Sequence, residues 1–103
     1  MAIKVMIERT AHPGQERQLL DLMRRIRKQC LDLPGYISGE TYRDSENPNT
    51  FLVISVWFGL LDWRRWYNSD ERRELELEMR PLVTDPEDIR VLVEGLSDLH
   101  SGA

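Results

Sequence analysis

Aromatic side chains concentrate in one part of the chain and are the first candidates for a ligand site. Trp63, Trp66 and Tyr67 lie on one short segment, and Trp57 and Tyr36 lie on predicted strands. Such rings can hold a flat ligand while an indole N–H or a phenol O–H orients its oxygens. The alternative is core packing, because Trp63 and Tyr67 are four positions apart and share a helix face. Trp66 points partly aside, which makes it the strongest candidate for a pocket wall.

Two polar side chains on one predicted strand form a candidate acid–base pair. Glu40 and Tyr42 share a strand face by alternation, and the same alternation assigns Tyr36 and Ser38 to that face. If this face of the strand lines a pocket, Glu40 is a candidate general base and Tyr42 is a candidate hydrogen-bond donor. The alternative for Glu40 is an edge-strand carboxylate in water. Arg72 is a candidate partner for an acidic phenolate, or else pairs with a nearby carboxylate.

Other common catalytic patterns are missing from the sequence. The single cysteine, Cys30, falls on a helix face, where a small apolar filler is a better interpretation than a nucleophile. No Cys/His cluster has metal-ligand spacing, no glycine-rich loop follows a strand, and no serine sits in a nucleophile elbow. The sequence therefore predicts no metal and no cofactor, although flavin or heme held in a pocket without a motif stays open.

Composition limits the class of protein. The chain has 103 residues, with 14 Lys+Arg against 18 Asp+Glu and a net charge of -4. We expect one domain over residues 1–96 and a flexible tail over 97–103. A mildly acidic chain lacks the basic stripe of a nucleic-acid-binding protein. The start lacks signal-peptide features, and the longest apolar run, Phe51 to Leu61, is too short to span a bilayer. We therefore predict a cytoplasmic protein with no membrane partner.

Hydrophobic periodicity predicts the elements that position these side chains. Alternating apolar residues indicate strands over 2–10, 36–43, 50–58 and 88–95. Spacings of three and four residues indicate a long helix over 15–33 and a short one over 60–68. Ser69 is a favourable N-cap for a further helix, and Pro81 suggests its early stop or a kink.

This order, β-α-β-β-α-β with the second helical stretch broken in two, predicts an α+β ferredoxin-like fold. Its crossovers put both helical layers on one face of a four-stranded antiparallel sheet. The third strand is apolar on both sides, which is typical of a central strand covered on both faces. An uncovered apolar sheet face predicts association, and sheet-to-sheet pairing about a two-fold axis is its simplest form. The sequence leaves open which face Trp57 occupies.

Several short motifs resemble the antibiotic biosynthesis monooxygenase family. They are Val56-Trp57 at a strand end, Trp66 on a short helix, and Ser69-Asp70-Glu71-Arg72 opening the next helix. Pro13-Gly14 and Leu33-Pro34-Gly35-Tyr36 are similar to the same family, and the resemblance runs from about Ala2 to Gly95. It implies a homodimeric α/β barrel with a pocket in each subunit between sheet and helices.

The resemblance also implies a cofactor-independent monooxygenase that oxidises a small aromatic phenol or quinol with dioxygen. Such an enzyme needs its substrate deprotonated, so that the anion itself reduces dioxygen, and supplies a base and a dry cavity. The candidate catalytic residues are then Trp66, Glu40 and Tyr42. The candidate substrate-binding residues are Trp57, Trp63, Tyr67, Tyr36 and Arg72.

Two other functions are alternatives to this one. The heme-degrading branch of the family uses an Asn on the first strand and a His on the second helical stretch, where this chain has Ile7 and Glu76, so heme turnover is less favoured. A non-catalytic dimer that binds a small ligand or serves as a regulatory module is the main alternative. A closed pocket containing a polar group would favour the enzyme. A core filled completely by Trp63, Trp66 and Tyr67 would favour the alternative.

Overall fold

The computed structural model describes residues 1–94, which form a four-stranded sheet and three α-helices. The strands are β1 (Ile3–Thr10), β2 (Tyr36–Arg43), β3 (Thr50–Trp57) and β4 (Asp88–Val93). The helices are α1 (Glu16–Cys30), α2 (Leu60–Tyr67) and α3 (Asp70–Met79), and a 3-10 turn over Arg80–Leu82 follows α3. Within the described part of the chain, no helix is both long and apolar enough to cross a membrane.

The sheet is antiparallel, with strand order β2-β3-β1-β4. This topology confirms the predicted ferredoxin-like fold. The helix predicted over 15–33 ends earlier, at Cys30. Pro34 contributes to this early end by disfavouring the helical conformation at Leu33. Pro81 stops α3 as predicted and lies in the 3-10 turn. The end of the predicted last strand, at Gly95, and the predicted tail lie outside the described residues.

One face of the sheet packs on the helices and holds the core. Alternation in β1 buries Ile3, Val5 and Ile7, and the register sets them against Trp57, Ser55 and Val53 of β3. Trp57 therefore faces the helices and is almost completely buried. The helices complete the core with apolar stripes formed by Leu19, Leu22, Met23, Cys30, Trp63, Trp66, Leu75 and Met79.

The opposite face of the sheet, which we call the open face, carries no helix of residues 1–94. Its centre consists of Leu52, Ile54 and Val56 on β3, beside Met6 on β1. These four side chains are half-buried, so they leave apolar surface at the centre of the sheet. Charged residues of the neighbouring strands, including Lys4, Glu8, Glu40 and Arg90, lie around them.

Two glycines at turns adopt the left-handed conformation, and they differ in what surrounds them. Gly14 has φ +88° and open space where a side chain would be, whereas Gly35 has φ +84° and lies against the Asp62 side chain. Alanine at either position meets the same backbone strain, of about 1 kcal/mol. At Gly35 its Cβ would also collide with Asp62.

We therefore expect Gly35→Ala to lower the free energy of unfolding by about 2 kcal/mol or more and Gly14→Ala by only about 1 kcal/mol. Urea denaturation of the two variants measures the difference. Equal losses would mean that Asp62 swings away from Gly35 at no cost.

Candidate active site

A cavity of about 50 Å³ lies between the helix-covered face of the sheet and the helices. Of the four aromatic residues predicted to face a pocket from α2 and β3, the three tryptophans Trp57, Trp63 and Trp66 lie in its wall and Tyr67 does not. Arg27 and Thr41 are the exposed members of the wall, which places the mouth between α1 and β2. The remaining lining residues are Ile7, Arg9, Met23, Ile26, Cys30, Tyr36, Gly39, Val53, Ser55 and Arg72.

Aromatic rings that meet edge to face form one side of the cavity. The Trp57 ring lies 5.2 Å from the Tyr36 ring and 5.6 Å from the Trp63 ring, with interplanar angles of 79° and 66°. The Trp57 indole nitrogen donates a hydrogen bond of 3.0 Å to the Ser55 hydroxyl. Edge-to-face packing and a satisfied indole hold these rings in place. The wall is thus a preformed apolar surface suited to a planar ligand.

A β-bulge turns Tyr36 towards the cavity. The register between β2 and β3 shifts between Tyr36 and Ser38, so that Tyr36 pairs with Trp57 while Ser38 pairs with Val56. The Tyr36 hydroxyl then lies against Gly39, where any side chain would collide with it. Burial raises the pKa of the Tyr36 hydroxyl, and the nearby Arg27 charge opposes that rise. Tyr36 therefore presents a neutral phenol to the cavity.

Three charged side chains form a buried group beside the cavity, which we call the Arg9–Glu87–Arg72 cluster. One carboxylate oxygen of Glu87 accepts hydrogen bonds from Arg9, at 2.9 Å from Nε. The other accepts one from Arg72 Nη2, also at 2.9 Å. Burial tends to raise the pKa of Glu87, but the charges of Arg9 and Arg72 outweigh this effect and hold it below its usual value. Glu87 is therefore ionised and bridges two guanidinium groups.

The start of α3 positions Arg72. Ser69 caps the helix by accepting a hydrogen bond of 3.2 Å from the Arg72 backbone nitrogen, as predicted for this serine. The Arg72 guanidinium lies 4.9 Å from the centre of the Tyr67 ring and 5.8 Å from that of Trp63. These cation–π contacts and Glu87 fix the guanidinium in the cavity wall.

The structure does not bring three of the predicted site residues to the cavity. Glu40 and Tyr42 lie on the open face, across the sheet, where the Tyr42 hydroxyl donates a hydrogen bond to the Glu40 carboxylate. The bulge between Tyr36 and Ser38 explains why Tyr36 reaches the cavity while Glu40 and Tyr42 do not, because it puts Tyr36 on the opposite face of the sheet from those two residues. Tyr67 is half-exposed and packs on the outer side of Arg72. Five predicted residues, Tyr36, Trp57, Trp63, Trp66 and Arg72, do line the cavity.

Sequence reasoning missed Arg9 and Glu87. The alternation of β1 contains a signal for Arg9, because it continues the buried series Ile3, Val5, Ile7 and places a charge on an apolar face. Glu87 precedes β4 and looks like a turn residue in the sequence. Its role follows only from the sheet, which pairs β1 with β4 and so brings Glu87 beside Arg9.

Cys30 contributes a neutral thiol to the wall. Burial raises its pKa to about 11, and the charges of Arg72 and Arg9 oppose that rise only in part. A thiol with this pKa is a weak nucleophile at neutral pH. In residues 1–94, no group of three His, Cys, Asp or Glu side chains is arranged to hold a metal ion.

Known proteins share both sequence and fold with this chain. A 42.8 kDa protein in the whiE locus of Streptomyces coelicolor is 29% identical over 91 residues, which are 88% of this chain and 23% of that protein. A conserved protein from Methanosarcina mazei has the same fold, with a TM-score of 0.86 at 18% identity over 92% of this chain and 94% of that one. SnoaB, a cofactor-independent oxygenase from Streptomyces nogalater, gives a TM-score of 0.81 at 17% identity over 91% of this chain and 93% of that one.

The match at family level covers the elements that build most of the cavity. The chain spans about a quarter of the length of the curated relatives it matches. The sequence pattern of the antibiotic biosynthesis monooxygenase family matches residues 2–76, which include β1 to β3, α1 and α2 and most of α3. Its matched region holds Arg9 and Arg72 as well as the three tryptophans of the wall. The chain therefore belongs to the antibiotic biosynthesis monooxygenase family.

Proposed function

We propose that this chain is a cofactor-independent monooxygenase that oxidises a small aromatic phenol or quinol inside the cavity. The observation that supports this most directly is an enclosed space in which aromatic rings and polar groups meet. Trp57, Trp63 and Trp66 leave room between themselves and the polar side chains of Tyr36 and Arg72 rather than filling the core. Such a space suits a flat ligand with an oxygen substituent.

The chemistry needs only the substrate and dioxygen. A phenol with a free para position takes up one oxygen atom from O₂ at that carbon and loses two hydrogens, which leave with the second oxygen atom as water. The product is a quinone, and all four electrons that reduce dioxygen come from the substrate. The phenolate is the electron-rich form that donates the first electron, so the protein's task is to bind and stabilise this anion away from water.

The proposed roles follow the positions of the side chains. Trp57, Trp63 and Trp66 hold the ring system, and the Tyr36 hydroxyl orients a substrate oxygen. A cavity of about 50 Å³ holds a few water molecules, so a bicyclic phenol enters when side chains at the mouth, such as the exposed Arg27, move outward. Glu40 and Tyr42 have no contact with this space and take no part in the proposed chemistry.

We also propose that two copies of the chain pair through their open faces. Leu52, Ile54 and Val56 form an apolar strip at the centre of that face, and charged residues surround it. An apolar centre with a polar rim is the usual anatomy of a protein interface. Pairing of this kind leaves each cavity on the far side of its sheet, with its mouth between α1 and β2 unobstructed by the sheet contact.

The first test is oxygen uptake by the purified protein with a panel of quinols and polycyclic phenols. We expect Trp66→Phe to lower the uptake rate at least tenfold, because the smaller ring loosens the hold on the substrate. Glu40→Gln should leave the rate within about twofold, because Glu40 lies across the sheet. The measurement uses an oxygen electrode, and circular dichroism confirms that both variants are folded.

Each outcome has a definite meaning. Uptake that falls in Trp66→Phe alone supports the cavity as the site. A loss in Glu40→Gln as well would restore Glu40 as the base and require a different substrate path. No uptake by the wild-type protein with any member of the panel would contradict the oxygenase and favour a module that binds a ligand without turning it over.

A further inference from the structure

The charges in the cavity wall are of one sign. Among the residues that the structure describes, the wall contains the three arginines Arg9, Arg27 and Arg72 and no aspartate or glutamate. The other polar groups in the wall are uncharged: the indole N–H groups of the three tryptophans, and the hydroxyls and thiol of Tyr36, Thr41, Ser55 and Cys30. A space lined by guanidinium groups and aromatic rings has a positive electrostatic potential, and its rings offer apolar surface to a ligand.

The carboxylate behind the wall neutralises only part of this charge. Glu87 contributes one negative charge against the two positive charges of Arg9 and Arg72. Glu76 is the next carboxylate, but its oxygen lies 3.9 Å from Arg72 Nη1, and it also binds Arg80 at the surface. Arg27 at the mouth has no salt bridge within residues 1–94. The cavity therefore keeps an excess of positive charge.

Both buried arginines have donors left over to bind a ligand. In the described structure, Arg9 Nη1 and Arg72 Nε make no hydrogen bond to protein. No side-chain nitrogen sealed off from solvent lacks a partner in this part of the chain. These two nitrogens are therefore reached by solvent, and both arginines line the cavity. A ligand oxygen bound against these two arginines would therefore meet guanidinium groups that are not saturated with protein acceptors.

No group in the wall is suited to accept a proton near neutral pH. The Cys30 thiol and the Tyr36 hydroxyl are both held neutral by burial. Glu87 is fully engaged by its two arginines, and their charges make its carboxylate a weaker base than usual. An enzyme that needs a substrate anion must then favour that anion by charge rather than by a general base.

We propose that the cavity selects aromatic oxyanions: Arg9 and Arg72, assisted by Arg27, bind a phenolate in preference to the neutral phenol. The O–H bond of the phenol breaks heterolytically, the oxygen keeps the electron pair beside the guanidinium groups, and the proton leaves to bulk water through the mouth. No oxidation accompanies this step. The inference rests on the proposed function for its substrate class, and it narrows that class to acidic phenols and quinols.

The test is a spectrophotometric pH titration of 4-nitrophenol with and without the protein, under anaerobic conditions. The coloured phenolate reports ionisation directly, and no turnover is needed. We expect the bound probe to ionise at least one pH unit below the free probe, which means that the phenolate binds at least tenfold more tightly than the phenol.

Two variants and one control assign this preference to the wall. Arg72→Met removes a buried cation and should abolish the preference. Because Arg72→Met also unpairs Glu87 and risks misfolding, Arg27→Gln at the exposed mouth serves as a second variant and should weaken the preference at least threefold. Arg64→Gln, an exposed arginine on α2 away from the cavity, should leave the preference unchanged.

The outcomes separate this inference from the proposed function. A pKa of the bound probe that is equal to or higher than that of the free probe would overturn the inference. Failure of the probe to bind at millimolar concentration, or equal effects of Arg27→Gln and Arg64→Gln, would also overturn it. Phenolate-selective binding without oxygen uptake would retain the inference and reject the oxygenase. Oxygen uptake without phenolate selectivity would support the oxygenase and reject the inference.

Discussion

Replacing Glu87 with glutamine should lower the free energy of unfolding by about 3–5 kcal/mol, because it breaks a buried ion pair and leaves the partner charges unpaired. The Glu87 side chain is only 11% exposed, and its two oxygens accept hydrogen bonds from Arg9 and Arg72. Glutamine has nearly the same shape, but its amide nitrogen would point a donor at a guanidinium donor. Two buried cations would then repel each other without a carboxylate between them.

A surface ion pair of the same residue types gives the matched control. Glu78 binds Arg25 through two hydrogen bonds, at 2.9 and 3.1 Å, but the two side chains are 50% and 60% exposed. Exposed pairs contribute about 0–1 kcal/mol, so Glu78→Gln should have a small effect in the same urea denaturation experiment. Equal losses in the two variants would show that burial does not strengthen the Arg9–Glu87–Arg72 cluster.

The same substitution should change how stability depends on pH. The pKa of Glu87 is lower in the folded protein than in the unfolded chain, where it has its ordinary value. Its contribution to stability is therefore complete above that value and is lost as the pH falls through the folded-state pKa. Asp44 and Glu78 also have lowered pKa values, from backbone hydrogen bonds and from Arg25 respectively, and they add an acid dependence common to both proteins. Glu87→Gln should be less sensitive than the wild type to acid below about pH 5.

The sequence predicted most of the fold because its signals are local. The alternation of β1, the helical stripe from Leu19 to Cys30, and the Ser69 cap each depend on residues only a few positions apart. The bounds of β2 at Tyr36 and Arg43 agree with the prediction for the same reason. Patterns of this kind also placed Trp57, Trp63 and Trp66 near one another, since β3 leads directly into α2.

The polar half of the site could not be predicted in this way. A bulge between Tyr36 and Ser38 changes which face each residue takes, and a strict two-residue period assigns Tyr36 to the side of Glu40. Arg9 and Glu87 are separated by 78 positions, and only the pairing of β1 with β4 brings them together. The aromatic residues that the sequence grouped therefore line one cavity, whereas the predicted acid–base pair, Glu40 and Tyr42, lies on the opposite face of the sheet.

The proposed pairing through the open face predicts that one charge at its centre separates the subunits. Ile54 lies in the middle of β3, with Met6 on one side and Glu40 on the other. In an interface with two-fold symmetry, Ile54→Asp introduces two carboxylates into the same apolar strip. At about 2 kcal/mol or more for each unpaired buried polar group, the total is about 4 kcal/mol, or a roughly thousandfold weaker dimer.

Leu77→Asp provides the control for this prediction, because Leu77 is 56% exposed on α3, on the helix side of the sheet. Sedimentation velocity over a concentration series should find Ile54→Asp monomeric where the wild type and Leu77→Asp are dimeric. Ile54 is only half-buried within its own subunit, so the variant should keep its secondary structure by circular dichroism. A wild type that stays monomeric at high concentration, or an Ile54→Asp variant that stays dimeric, would contradict sheet-to-sheet pairing. Because the cavity lies on the other face, phenolate binding by a monomeric Ile54→Asp variant would further show that each subunit carries a complete site.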